Sequence, residues 1–243
     1  MIGNKPVAVA DAPDWKTPSS DILEAAANGK QALFIYFPGE AEDGSGDGIA
    51  GAEYKNLDGK YAQFIRIPYT ADREPSPSGV DSLVPTSKVL SDNPTRDYGV
   101  KTYPTFIVAD SYGNEYVRLN GKKPAASELQ AYFEKVSSKM EDSNKKLQKG
   151  LDEAKKSWES KDSVKAMKAI RSNFKDGLVG LDAQNETVRL YHDVVEAARA
   201  EISALAGEGS ADSVKKLKAM KATFKGTEVE STINEALKAS AEK

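Results

Sequence analysis

The chain has 243 residues, 34 basic against 37 acidic side chains for a formal net charge of −3, 39% hydrophobic residues and no cysteine. The near balance of charge supplies no global field toward nucleic acid or anionic lipid, and the missing cysteines exclude disulfides, thiolate metal sites and cysteine nucleophiles. No run approaches the ~20 apolar residues of a membrane span, and the N-terminus lacks the basic and apolar regions of a secretory leader, so a soluble protein of undetermined compartment is expected.

A chain of this length favours two globular units, here 1–140 and 141–243. Residues 19–29 read as a helix with Ser19 or Ser20 as N-cap, Ile22, Leu23 and Ala26 on one face, and Gly29 at the C-cap. QALFIYF (31–37) is a short continuous apolar run before Pro38-Gly39, as in a central strand covered on both faces. AQFIRIPY (62–69) repeats that character until Pro68 ends the ladder. Residues 71–92 are rich in Pro, Ser and charge and read as an irregular insertion.

Asn93-Pro94 opens a short helix that Tyr98-Gly99 closes. TFIVA (105–109) and EYVRL (115–119) flank DSYGN and predict a β-hairpin. From Ser127, Leu129, Phe133, Val136, Met140, Leu147, Leu151, Ala154 and Trp158 recur at helical steps, predicting one long helix or two in line.

The remainder contains an internal repeat. KDSVKAMKAIRSNFK (161–175) matches ADSVKKLKAMKATFK (211–225) at a 50-residue offset. Val164, Met167, Ile170 and Phe174, and likewise Val214, Leu217, Met220 and Phe224, form one apolar stripe per copy. Val188, Tyr191, Val195, Ala198, Ile202 and Leu205 form a packing seam on the intervening helix, and Val229, Ile233 and Leu237 begin a last one. Such helix pairs bury their faces by stacking, which predicts a small bundle or repeat array. The pattern loosely resembles tetratricopeptide-like hairpins, although its period departs from that family's roughly 34 residues.

Tyr98-Gly99-Val100, Tyr103-Pro104-Thr105 and the apolar strand that follows, together with the strand at 33–37, resemble the thioredoxin-like family over roughly residues 12–140. The resemblance implies an α/β thioredoxin-like fold, a central mixed sheet flanked by helices, followed by the all-α repeat domain. It implies a cis proline at Pro104, with Thr102 and Tyr103 beside it forming a backbone edge for an extended peptide. The family's redox pair would lie just after the first central strand, where this chain has PGEAEDGSGDG with Glu40, Glu42, Asp43, Ser45 and Asp47. Dithiol exchange is therefore excluded, and the expected role is protein or peptide binding or scaffolding without catalysis.

Two alternatives rest on the acidic loop. One is a carboxylate- or metal-dependent enzyme of thioredoxin-like ancestry; the other is a calcium-binding extracytoplasmic structural protein with Asp43, Ser45 and Asp47 as ligands. Counted from Asp43, the twelfth position of a calcium loop falls on Tyr54, with Glu53 next to it. His192, the only histidine, lies in an amphipathic helix away from any nucleophile signature. Lysines on the C-terminal helices alternate with acids and lack interleaved aromatics, so they read as solvated faces rather than a nucleic-acid site.

Overall fold

The stretch QALFIYF becomes strand β1 (Ala32–Phe37), all six residues of which are buried, in a computed structural model that describes residues 13–39, 51–69 and 83–241. The acidic loop carrying Glu40, Glu42, Asp43, Ser45 and Asp47, and most of the expected insertion, lie outside the described residues. The chain divides into two compact units, Met1–Pro75 with Ser87–Met140, and Ser76–Thr86 with Glu141–Lys243.

In the first unit α1 (Ser20–Gly29), β1, β2 (Ala62–Arg66), α2 (Pro94–Asp97), β3 (Thr105–Ala109) and β4 (Glu115–Asn120) follow one another, and α3 (Ala126–Glu159) begins. The sheet order is β2-β1-β3-β4. Strand β1 pairs in parallel with β2, Phe34 opposite Phe64, and antiparallel with β3, Ile35 opposite Ile107. β3 and β4 form the expected antiparallel hairpin. A parallel bridge between Lys16 and Ile65 extends the pairing beyond β2.

One face of this mixed sheet buries Phe34, Tyr36, Phe64 and Phe106 with Leu129, Phe133 and Val136 of α3. Tyr36 and Phe106 stack at 4.8 Å, a geometry worth about 1 kcal/mol beyond the area it buries. The other face buries Leu33, Ile35, Phe37, Ile65 and Ile107 with Ala26, Val89, Tyr98 and Val100. Layers on both faces are why β1 shows no alternation in its sequence.

Helix α1 is capped by Ser19, as expected, but Gly29 is its last helical residue and the left-handed position falls on Lys30 (φ 52°). The amide of Gln31 returns to the carbonyl of Ala26 at 2.8 Å, so the cap consumes Gln31 and β1 starts at Ala32. β2 stops at Arg66, although the Ile67 amide still bonds the Tyr36 carbonyl at 2.9 Å before Pro68 interrupts the ladder.

The second unit is helical: the rest of α3, then α4 (Ser163–Phe174), α5 (Asp182–Glu208), α6 (Ala211–Thr223) and α7 (Glu230–Ala241). α4 packs on α5 and α6, and α7 on α5 and α6. In both repeat copies the Met/Leu, Ile/Met and Phe positions are buried, while Val164 and Val214 stand half-buried at the stripe's edge. The face of α5 is wider than the expected seam: Leu190 and Val194 are also buried, because α4, α6 and α7 all lean on that helix. His192 is exposed.

Candidate functional site

The segment 98–104 is held by contacts at its first residue. The Tyr98 ring meets Phe37 edge-on at 5.7 Å, its hydroxyl donates to the Gly113 carbonyl at 2.6 Å, and its own carbonyl accepts from Arg118 at 2.6 Å. Burial, with the nearby charges of Asp110 and Glu115, pushes the Tyr98 phenol far above its ordinary value against the opposing Arg118, so it acts as a neutral donor. Arg118 is in turn clamped by Glu115 at 2.5 Å. Gly99 takes a left-handed turn at φ 60°, and the Val100 amide closes back on the Thr95 carbonyl at 2.9 Å.

Beneath that segment the hairpin turn is organised by Asp110, which is fully buried. Its carboxylate accepts from the amides of Tyr112 and Asn114 at 2.9 and 3.0 Å, from the Asn114 side chain at 2.8 Å and from the Tyr116 hydroxyl at 3.1 Å. Burial raises its pKa, and these donors offset only part of the rise. Asp110 shapes a turn; its donors all come from the same hairpin.

Past Val100 the chain reaches the exposed Thr102 and the half-buried Tyr103 and Pro104. The Tyr103–Pro104 peptide bond is cis. The hydroxyl of Thr105 lies 2.5 Å from the Thr102 carbonyl and 2.8 Å from Asn120 Oδ1, and the Pro104 carbonyl accepts from the Gly121 amide at 2.8 Å. These contacts tie both sides of the Tyr103–Pro104 step to the start of β3 and the end of β4.

Two residues absent from the sequence-based site join it. The Tyr69 ring, after β2, meets Tyr103 edge-on at 5.5 Å. Gly39, after β1, comes so close that a β-carbon there would lie 3.3 Å from Tyr103 Cβ. Thr102, Tyr103 and Pro104 thus stand with Gly39 and Tyr69 at the end of the sheet where β1 and β2 finish and β3 starts. Two phenol rings, a proline ring, a hydroxyl and backbone are assembled there.

A concavity of about 170 Å³ opens at the other end of β1, between Lys30, Ala32, Ser111, Tyr112, Phe133 and Met140. Among the described residues no group of three or more His, Asp or Glu side chains could hold a metal ion, and no helix is long and apolar enough to cross a membrane.

Comparison with family models, with curated proteins and with solved structures yields no match.

Proposed function

We propose that this chain carries a redox-inactive thioredoxin-like domain whose Thr102-Tyr103-Pro104 edge binds an extended protein or peptide segment, joined to a helical repeat domain. The observation that carries the reading is the gathering of Tyr103, Pro104, Tyr69 and Gly39 at one end of the mixed sheet, where a polypeptide could lie across aromatic rings. The element order helix, strand, strand, helix, hairpin, with Pro104 directly before β3, supports the family likeness. The absence of any cysteine from the chain rules out thiol chemistry at that edge. Binding there is therefore read as reversible contact.

Peptide-display selection on the immobilised chain, followed by titration of the selected peptides, tests this. Thr102→Arg and Tyr103→Ala should each weaken binding by about tenfold or more, while the exposed Lys145→Glu should not. Selected peptides that bind all the variants equally well would place recognition elsewhere and refute the reading.

A further inference from the structure

The charges of the second unit are sorted by helix. α4 carries Lys165, Lys168 and Arg171 and no acid, and α6 carries Lys215, Lys216, Lys218 and Lys221 against a single acid, Asp212, in its first turn. α5, by contrast, carries Asp182, Glu186, Asp193, Glu196, Glu201 and Glu208 against Arg189 and Arg199. Pairwise alternation, expected of plain solvated helices, is missing from α4 and α6.

The same wheel positions repeat in both copies. Lys165 and Lys168 match Lys215 and Lys218 across the 50-residue offset, and all four side chains are exposed. The two helices touch, and the Arg171 guanidinium of α4 binds the carbonyls of Thr223 and Lys225 at the end of α6, at 3.3 and 2.6 Å. The two helices that carry the copies of the basic stripe are therefore in direct contact.

Two lysines outside α4 and α6 are paired, Lys146 with Asp176 and Lys155 with Glu186, both at 2.5 Å. Lys165 pairs with its own helix cap, Asp162, at 2.8 Å. Among the described residues Lys215, Lys218 and Lys221 form no ion pair.

We propose that the exposed basic faces of the adjoining helices α4 and α6 dock an acidic polypeptide segment. Between the lysines stand the small Ala169, Ser172, Ala219 and Ala222, which let a partner's backbone approach while flexible lysine stems reach its carboxylates from either side. This surface lacks what other polyanions use. Its one guanidinium is committed to carbonyls, and it has no aromatic ring on which a base could stack. It also has no large apolar side chain to enter a bilayer, Leu90 being the only large hydrophobic exposed among the described residues.

The test titrates the full chain with fluorescent poly-glutamate, with single-stranded DNA of matched charge, and with phosphatidylserine vesicles. Poly-glutamate should bind best and weaken about tenfold or more between about 50 and 200 mM salt. The combined Lys215→Glu, Lys218→Glu and Lys221→Glu variant should lose at least about tenfold in affinity. Reversing Lys139, Lys145 and Lys149 on α3, or Tyr103→Ala, should leave it unchanged. Helicity and urea midpoint confirm folding, and Lys→Gln at the same three positions serves if the reversal unfolds the helix. No binding, equal loss in the α3 variant, or tighter binding of DNA or vesicles would each overturn the proposal.

Discussion

Gly150 and Asn173 leave no room for a β-carbon between them: a methyl on Gly150 would stand 2.1 Å from Asn173 Oδ1. Asn173 is buried, and its amide donates to the Leu147 carbonyl at 3.0 Å and to the Thr187 hydroxyl at 3.1 Å, so one side chain bridges α3, α4 and α5.

Gly150→Ala should therefore destabilise the protein although it sits in a helix interior. Alanine brings about 1 kcal/mol of helix propensity, but it forces Asn173 out of two buried hydrogen bonds, each worth about 1 kcal/mol and more if a partner is left unpaired. A net loss of about 1–3 kcal/mol is expected by urea denaturation. The penalty should shrink in an Asn173→Ala background, since the two residues share one space. A stabilised single variant would refute the account.

Gln184 presents the reverse case. It is 2% exposed, yet neither polar atom of its amide has a hydrogen-bond partner among the described residues. Three residues on, Thr187 is fully satisfied by the Ala183 carbonyl at 2.7 Å and by Asn173. Gln184→Met keeps the length and removes the polar head, so a gain of about 1 kcal/mol in unfolding free energy is expected. A loss larger than about 1 kcal/mol would mean that the amide is held by a partner.

Tyr98 and Gly113 couple α2 to the hairpin. Tyr98→Phe removes the donor from a buried carbonyl and should cost about 1–3 kcal/mol. Gly113→Ala should cost more: Gly113 sits at φ 87°, and a β-carbon there would press Val89 Cγ1 at 2.9 Å and Tyr98 Oη at 3.0 Å. The two changes damage one contact, so their combined loss should fall short of the sum. Chemical denaturation of both single variants and the double variant measures that shortfall, and strict additivity would contradict it.

How much of this was legible in the sequence follows from the range of the interactions. β1 and the hairpin could be read because the sheet is buried on both faces and the turn chemistry is local. The repeat could be read because its stripes recur at fixed spacing. The bridge made by Asn173 and Thr187 and the buried amide of Gln184 could not, since apolar periodicity is blind to polar residues inside a stripe. At the candidate site Thr102, Tyr103 and Pro104 stood out as one contiguous motif. Gly39 and Tyr69 did not, because they arrive from two other strand ends and only the parallel register of β1 and β2 brings them together.

The repeat also conceals a difference between its copies, which substitution of the two matching aspartates should expose. α4 is capped by Asp162, whose carboxylate accepts from the Lys165 amide at 3.0 Å. α6 is capped not by the matching Asp212 but by Ser210, through the Ser213 amide at 3.1 Å, because Gly209 ends α5 in a left-handed turn and α6 starts early. The Lys165 ammonium and amide hold the Asp162 carboxyl below the usual aspartate range. A lowered folded-state pKa means that the unfolded chain binds the proton first as pH falls. The cap's contribution is therefore complete above the ordinary aspartate value of about 4 and disappears as pH drops through the lowered one. Asp162→Ala should cost about 1 kcal/mol at neutral pH, with the gap to the parent closing as the pH falls through the lowered value, whereas Asp212→Ala should cost less at neutral pH because Ser210 caps α6. Urea denaturation of both variants at neutral pH, repeated at falling pH for Asp162→Ala, measures this, and equal losses at neutral pH would show that the copies are capped alike.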